Sequence, residues 1–301
     1  MKPTKNFIEK FLRYKNDIKD NRDSTISEYR TNLHLFFNYF IKERKWETSI
    51  DSLSLINIKS ITKENIEDYL YNCKEKDNNG ANTRRKKIAI LKSFFNYMQK
   101  QLKLIEVNPT FELELPKKVK RLPKALNKLE AKLFLKTILD AHLENMERDY
   151  AIARTFLNIG LRVQELVDLN ISSIGTDELK VVGKGNKERN VFINDKCRET
   201  LKNYLSKRQS INNNALFISE NNTRLTKISV QVMIKKYFEK MGMPDKSVHC
   251  LRHTYGSMNI RSGVSLPVLQ ELMGHESVTT TSIYVKVDNE DKKRAASMMQ
   301  I

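Results

Sequence analysis

Three short runs combine histidine, arginine and tyrosine at fixed spacings: His249-Cys250-Leu251-Arg252-His253, Leu272-Met273-Gly274-His275-Glu276-Ser277 and Thr280-Thr281-Ser282-Ile283-Tyr284. Far upstream, Gly160-Leu161-Arg162 supplies a second arginine, with Glu165 one helical turn later. A tyrosine hydroxyl attacks poorly until neighbouring groups stabilise its anion, whereas guanidinium groups bind phosphate oxygens and imidazoles hold or move protons. The combination predicts a site at which Tyr284 attacks a phosphodiester.

The composition favours a protein that binds a polyanion. The chain has 301 residues, enough for roughly two domains, and carries 54 Lys and Arg against 36 Asp and Glu, a net charge of +18. Residues 1–120 and 121–301 each carry an excess of nine positive charges, so the charge is not confined to a tail. Two folded halves that both face nucleic acid fit this distribution, although a basic surface also simply keeps a protein in solution.

The cysteines and the apolar runs argue against several classes of protein. Cys73, Cys197 and Cys250 show no Cys-x-x-Cys spacing, which disfavours a zinc ribbon or a disulfide framework. No apolar run approaches membrane-spanning length, and the first residues do not resemble a signal peptide. Neither a Walker glycine loop nor convincingly paired metal carboxylates are recognisable. We therefore expect a cytoplasmic, nucleoid-associated protein that uses no metal or other cofactor.

The first third of the chain predicts a compact bundle of four helices. Apolar residues recur there at helical spacing, and Thr25, Thr62 and Thr83 are candidate N-caps. Four cations would then crowd the first turn of the fourth helix, where the helix dipole disfavours positive charge. A bound anion such as DNA would explain them, and a solvated charged face is the alternative. These cations are Arg84, Arg85, Lys86 and Lys87.

A basic connector follows the bundle. Pro116 and Pro123 bracket four cations, which predicts an extended linker that either crosses DNA or is merely solvated. The cations are Lys117, Lys118, Lys120 and Arg121. The expected organisation is a helical domain over residues 1–112, a linker over 113–125 and a second domain over 126–301.

The second domain is predicted to be mainly helical with a small sheet. The run from Asn127 to Glu130 has the spacing of a helix N-terminus, and a long helical pattern extends through Tyr150 to Leu169. Residues 179–182 and 190–193 are strand-like and flank a glycine-containing turn that carries Lys184. Helical patterns then continue to a short amphipathic tail over residues 292–299.

The order and spacing of these motifs resemble the tyrosine recombinase (phage integrase) family, most closely its Xer-like bacterial members. The match covers nearly the whole chain and includes the His-x-Leu-Arg-His run at His249, the Gly-His pair at His275 and the turn Gly183-Lys184-Gly185. The resemblance implies a mainly α-helical, two-domain DNA clamp, with a helical SAM-like core-binding domain followed by an α+β catalytic domain. It also implies a site-specific DNA recombinase that cuts and rejoins DNA strands through a 3′-phosphotyrosyl intermediate and a Holliday junction.

The resemblance further assigns roles at the phosphate. Arg162 and Arg252 are expected to stabilise the charge that develops on the scissile phosphate, with Glu165 orienting Arg162. His275 is expected to donate a hydrogen bond to the same phosphate.

The remaining roles concern proton transfer at the two bridging oxygens. Tyr284 is expected to attack phosphorus, His249 to handle the tyrosine proton, and Lys184 to protonate the departing 5′-oxygen. The conserved energy of the phosphotyrosyl bond would make ATP and metal unnecessary.

Several questions stay open at this point. The expected partner is a double-stranded recombination site bound by a homotetramer, with a paralogous recombinase or accessory protein as a further candidate. The tail over residues 292–299 could dock onto a neighbouring subunit or onto its own domain. The biological result could be dimer resolution, or integration, excision or inversion of a mobile element. The alternative activities are DNA relaxation of the type IB topoisomerase kind and DNA binding without catalysis.

Overall fold

The computed structural model describes residues 6–21, 23–118, 124–183, 188–208, 212–275 and 281–284. The chain divides into two compact units, Met1–Arg121 and Leu122–Ile301. Within the described residues, no helix combines the length and the apolar character needed to cross a membrane.

All regular secondary structure in the described part of the first unit is helical. Its helices are α1 (Phe7–Arg13), α2 (Asp23–Glu43), α3 (Leu55–Lys59), α4 (Lys63–Glu75) and α5 (Ala81–Asn96). Helices α1 and α5 each continue into a short π-helical turn. The core contains Phe11, Phe36, Phe37, Phe94 and Phe95, all fully buried. Phe11 and Phe94 meet edge to face with ring centroids 5.5 Å apart, so these aromatic residues form a core and not a surface for base stacking.

Local capping signals define some helix starts in this unit and mislead at others. Thr62 caps α4 in a reciprocal capping box with Asn65, as predicted. The predicted cap at Thr83 is wrong, because α5 begins at Ala81 after Gly80. The cations from Arg84 onward therefore lie in the second turn of α5, where the repulsion from the helix dipole is weaker than in the first turn.

The second unit contains seven helices and one hairpin among its described residues. The helices are α6 (Lys128–Leu139), α7 (Met146–Ile159), α8 (Val163–Asp168), α9 (Asp195–Lys207), α10 (Lys227–Lys240), α11 (Val248–Arg261) and α12 (Leu266–Met273). The antiparallel strands β1 (Glu178–Val182) and β2 (Glu188–Phe192) pair Leu179 with Val191 and Val181 with Arg189. The mainly α-helical fold with a small sheet is thus confirmed.

Two glycines end helices at the positions from which the site is built. The helical pattern predicted through Tyr150 to Leu169 is interrupted at Gly160, which ends α7 with a left-handed φ of 68°. Gly274 ends α12 in the same way, with φ of 61°. An L-residue is disfavoured in this conformation, so glycine lets the chain turn sharply after each helix. The two turns carry Arg162 and His275 away from their helices.

Candidate active site

Arg162 and Glu165 form the first part of the site at the start of α8. Arg162 is the N-cap residue, and its backbone N–H donates to Glu165 Oε2 at 2.8 Å while its Nη1 donates to Glu165 Oε1 at 2.7 Å. Its Nη2 donates to the carbonyl of Gly274 at 2.8 Å. The Glu165 side chain is only 5% exposed, whereas that of Arg162 is 41% exposed. The arginine is therefore held at its inner edge by a buried carboxylate while much of its surface remains accessible.

Arg189 is a second partner of Glu165 and was missed by the sequence-based assignment. Its Nη1 and Nη2 donate to the two oxygens of Glu165 at 3.2 and 3.0 Å, and its Nε donates to the carbonyl of Leu272 at 3.4 Å. A signal existed in the strand pattern. Arg189 pairs with Val181 across the hairpin and lies two residues before Val191 on β2. Both valines are fully buried, so the Arg189 side chain is on the same, inner face of the hairpin.

Arg252 comes from α11 and completes the group around Glu165. Its Nη1 donates to the carbonyl of Gly160 at 2.5 Å, its Nη2 donates to the carbonyl of Met273 at 2.8 Å, and Nη1 lies 3.7 Å from Glu165 Oε2. Burial, followed by the charge of Arg162, lowers the pKa of Arg252 to about 10. The guanidinium therefore stays charged at neutral pH.

These contacts leave an excess of positive charge in a largely buried place. Burial acts to raise the pKa of Glu165, but the hydrogen bonds and charges of Arg189 and Arg162 bring it below the ordinary value, so the carboxylate is ionised. One carboxylate faces three guanidiniums, including that of Arg252. The surplus charge of two makes the cluster suited to an anion with several oxygen atoms, such as a phosphodiester.

His275 lies beside this cluster, immediately after the Gly274 turn. Its Nδ1 hydrogen-bonds to Thr281 Oγ1 at 2.8 Å, and its side chain is largely buried. Burial, followed by the charges of Arg252 and Arg162, lowers the pKa of His275 to about 4. The imidazole is therefore neutral at pH 7, with Nε2 as the remaining ring nitrogen for another hydrogen bond.

Tyr284 is brought into the same region by a short 3₁₀ turn, Ser282–Tyr284. The side chain is 7% exposed, and its ring lies so close to Gly256 that an added Cβ would approach Tyr284 Cζ to 2.7 Å. Burial raises the pKa of the phenol, and Arg252 and then Arg162 act in the opposite direction. The charges of the two arginines therefore favour the anionic form of this hydroxyl.

The Tyr284 hydroxyl contacts a different histidine from the one expected. Its oxygen lies 3.0 Å from Nδ1 of His253, and the sequence-based assignment had given the tyrosine proton to His249. Both histidines belong to α11 and are four residues apart, so they lie on one helical face. Tyr284 packs at Gly256, beyond His253 along the helix, and the contact therefore falls on the second histidine.

Some expected residues lie outside the described part of the chain. These are Lys184 at the hairpin turn, Lys120 and Arg121 in the linker, and the tail over residues 292–299. The strands on both sides of Lys184 are described.

The cations of the first unit fall into different environments. Arg85 donates to the carbonyl of Pro116, and Lys86 pairs with Glu28 at the surface. Lys117 and Lys118 are exposed, and Arg84 is half-buried. Lys87 is buried, and its Nζ donates to the hydroxyl of Tyr69 at 3.1 Å. The prediction that Lys87 contributes to DNA binding is therefore wrong, because its side chain is buried.

Potential metal ligands do not cluster in the described part of the chain. No group of three or more His, Cys, Asp and Glu side chains there is arranged to hold a metal ion. The cluster around Glu165 presents cationic donors to a ligand, which suits an anion and not a cation.

Comparison with known proteins gives a consistent family. Residues 125–291 match the profile of the phage integrase family. Tyrosine recombinase XerC of Caldanaerobacter subterraneus subsp. tengcongensis is 37% identical, with 96% of this chain and 85% of that relative aligned. Tyrosine recombinase XerC of Herpetosiphon aurantiacus is 32% identical, with 94% and 91% aligned.

Solved structures share the fold. The XerH site-specific recombinase bound to a palindromic difH substrate, in a post-cleavage complex, superposes with a TM-score of 0.76 at 20% identity over 98% of this chain and 96% of that chain. A lambda integrase dimer bound to a core site gives a TM-score of 0.68 at 17% identity over 95% and 78%. Taken with the family match and the similarity to the XerC relatives, the chain belongs to the phage integrase family and is a Xer-like tyrosine site-specific DNA recombinase.

Proposed function

We propose that this recombinase cuts DNA by attack of Tyr284 on the scissile phosphate, forming a 3′-phosphotyrosyl bond and releasing a 5′-hydroxyl. The observation that carries the proposal is the position of Tyr284, whose buried side chain lies close enough to Arg252 and Arg162 of the same chain for both charges to act on its hydroxyl. A nucleophile and a pair of phosphate-binding groups from separate helices are thereby combined in one subunit.

The arginines act on the charge that builds up during attack. Arg162 and Arg252 donate to the non-bridging oxygens and stabilise the pentacoordinate transition state. Their backbone carbonyl contacts at Gly274, Gly160 and Met273 fix them in advance, which avoids reorganisation at the moment of reaction. Removing one such donor typically slows the chemical step by about 10²–10³-fold. His275 donates from Nε2 to the same phosphate while Thr281 holds its Nδ1.

The leaving group and the return reaction complete the cycle. Lys184, which lies between β1 and β2 in the sequence, protonates the departing 5′-oxygen. The incoming 5′-hydroxyl of a second site then attacks the phosphotyrosine and displaces Tyr284. Because the phosphotyrosyl linkage retains the energy of the broken bond, rejoining needs neither ATP nor a metal ion.

Double-stranded DNA carrying a specific site is the proposed partner. The net charge of +18 supports binding to a polyanion, and the XerH and lambda integrase structures that share the fold are complexes with DNA. The proposed phosphate contacts in the first unit and linker are Arg84, Arg85, Lys86, Lys117, Lys118, Lys120 and Arg121.

Exchange between two sites requires two cuts on each, so we propose a tetramer that passes through a Holliday junction. The tail over residues 292–299 is the candidate contact between neighbouring subunits. The arrangement of the sites then determines the product: dimer resolution, integration and excision, or inversion.

A nicked suicide site tests this function. Cleavage next to the nick releases a short fragment and traps the protein on DNA, so wild-type protein should accumulate a covalent adduct and Tyr284→Phe should form none. An adduct formed by Tyr284→Phe contradicts the assignment. Relaxation of supercoiled DNA without site preference would support a topoisomerase instead, and specific binding without cleavage would support a regulator.

A further inference from the structure

The partner of the Tyr284 hydroxyl lies outside the set of catalytic residues that the sequence motifs indicate. Within the described part of the chain, Tyr284 Oη makes its side-chain hydrogen bond to His253 Nδ1, at 3.0 Å. The two rings are 5.7 Å apart between centroids and are inclined by 55°. Gly256, less than one helical turn after His253, leaves the space in which the Tyr284 ring rests. Helix α11 thus provides both the space for the ring and the hydrogen-bond partner of its hydroxyl.

We propose that His253 is a catalytic residue and serves as the proton acceptor for Tyr284. The inference rests on the proposed attack by Tyr284 and assigns the proton of that step. As the Tyr284 oxygen bonds to phosphorus, its proton moves to His253 Nδ1, the bond from phosphorus to the 5′-oxygen breaks, and that oxygen takes a proton from Lys184. In rejoining, the 5′-hydroxyl attacks, and Tyr284 leaves with the proton that His253 returns.

The surroundings of the tyrosine make an acceptor necessary. Burial raises the pKa of Tyr284 above its ordinary value, so the reactive anion is scarce at neutral pH. A neutral phenol gains acidity only as its oxygen begins to bond to phosphorus. A base already in hydrogen-bond contact can take the proton at that moment, whereas a base elsewhere would require a water to enter a buried site.

The protonation state of His253 suits the role before attack. Burial, followed by the nearby His249 and Arg252, lowers the pKa of His253 to about 4, so the imidazole is neutral at pH 7. Its Nδ1 then accepts from the phenol and its Nε2 carries the ring proton. A bound phosphodiester brings negative charge next to Arg252 and Arg162, which raises the basicity of His253 when the substrate is in place.

His275 has a different hydrogen-bond partner within the site. His275 directs Nδ1 to Thr281 at 2.8 Å, which leaves Nε2 for the phosphate. His249 lies one turn before His253 on α11, and its pKa is lowered by burial and by Lys227 and Arg252. The geometry therefore separates one histidine for the phosphate from another for the tyrosine.

The test compares two leaving groups in the suicide-site assay. His253→Ala and His253→Gln are measured on an ordinary site and on one whose bridging 5′-oxygen is replaced by sulfur, which leaves without being protonated. We expect covalent-adduct formation to slow by about 10²–10⁴-fold on both substrates. Lys184→Ala is the matched control, and its defect should largely disappear with sulfur. A His253 defect that also disappears with sulfur overturns the assignment, as does cleavage at the wild-type rate.

A second measurement separates a proton acceptor from a merely structural histidine. Replacing Tyr284 by a fluorinated tyrosine lowers the intrinsic pKa of the phenol. This should restore much of the rate that His253→Ala loses relative to a protein that keeps His253 and carries the same fluorinated tyrosine, and a purely structural defect would not recover. If the variants fail to fold, the test uses wild-type protein on the sulfur-containing site. Its cleavage rate should be lower in D₂O than in H₂O, and equal rates contradict the proposal.

These outcomes are distinct from failure of the proposed function. A covalent adduct formed by Tyr284→Phe would show that Tyr284 is not the nucleophile. Loss of the adduct with Tyr284→Phe, combined with wild-type cleavage by His253→Ala, would overturn the role of His253 alone.

Discussion

Glu165 determines the geometry of the cluster at the scale of single residues. It is ionised, almost fully buried and shared by Arg162 and Arg189 through hydrogen bonds of 2.7 to 3.2 Å, with Arg252 slightly farther away. Because each guanidinium also reaches a backbone carbonyl, a change in one contact alters the position of the others. The motifs identify Arg162, Glu165 and Arg252, but not how one carboxylate joins them to Arg189.

Loss of Arg189 should therefore affect both stability and cleavage. Arg189→Gln removes one of the positive charges that balance the buried Glu165 carboxylate. Breaking such a buried ion pair costs about 3 kcal/mol of unfolding free energy. Arg198→Gln is the matched control because Arg198 pairs with exposed Asp177 and Asp195, and it should cost less than about 1 kcal/mol. Urea unfolding measures both variants. Equal losses would show that Arg189 does not support the site.

The buried histidines predict a dependence of stability on acid. The pKa values of His253 and His275 lie at about 4 in the folded protein, below the ordinary value of 6.5. The unfolded chain therefore binds these protons first, so stability is full above pH 6.5 and is lost as pH falls towards 4. Unfolding free energies between pH 7 and pH 4 should fall less steeply in His253→Gln/His275→Gln than in wild type. Parallel curves would contradict these pKa values.

At the scale of secondary-structure elements, turns after helices place the functional residues. The Gly160 turn separates α7 from α8, puts Arg162 at an N-cap and offers its carbonyl to Arg252. Helical periodicity alone continues across this glycine, because apolar residues follow it at compatible spacing. The capping pattern at Asn127 and Glu130 was predicted correctly since it depends only on local sequence. The turn at Gly160 depends on packing against Tyr255.

A pair of glycine variants tests this turn. Gly160→Ala places a Cβ 2.2 Å from Tyr255 Cδ1 and adds the cost of a left-handed backbone, about 1–2 kcal/mol. Gly242 has a φ of 70°, but no atom lies within 4 Å of the position that a Cβ would take. Gly242→Ala should therefore cost only the free energy of the left-handed backbone. Thermal unfolding should show the larger loss for Gly160→Ala, together with slower cleavage. Equal effects would mean that the contact with Tyr255 is unimportant.

Over the whole molecule, charge and helical patterning account for most of what the sequence predicts. The family, the mainly helical fold and the hairpin follow from motifs and periodicity. The burial of individual cations was not predicted as well. Lys87 lies on the stripe that continues through Leu91 and Phe94, so helical spacing already places it inward, and only its charge suggested the surface. The contact between His253 and Tyr284 joins elements distant in sequence and depends on the tertiary fold.

The basic surface of the first unit predicts a salt-dependent contribution to DNA binding. Each phosphate contact that Arg84→Gln or Lys86→Gln removes should reduce the slope of log affinity against log salt by about 0.9. Lys42→Gln, an exposed cation near the end of α2, is the charge-matched control. Binding titrations at several salt concentrations measure the slopes. An equal reduction in all three variants would indicate general charge and not a contact surface.

The most direct test of attack by Tyr284 is to identify the residue that becomes joined to DNA. Wild-type protein is trapped on a nicked site, the complex is digested with protease and nuclease, and mass spectrometry locates the modified peptide. We expect a nucleotide attached through its 3′-phosphate to Tyr284. A nucleotide on any other side chain, or attachment through a 5′-phosphate, would contradict it.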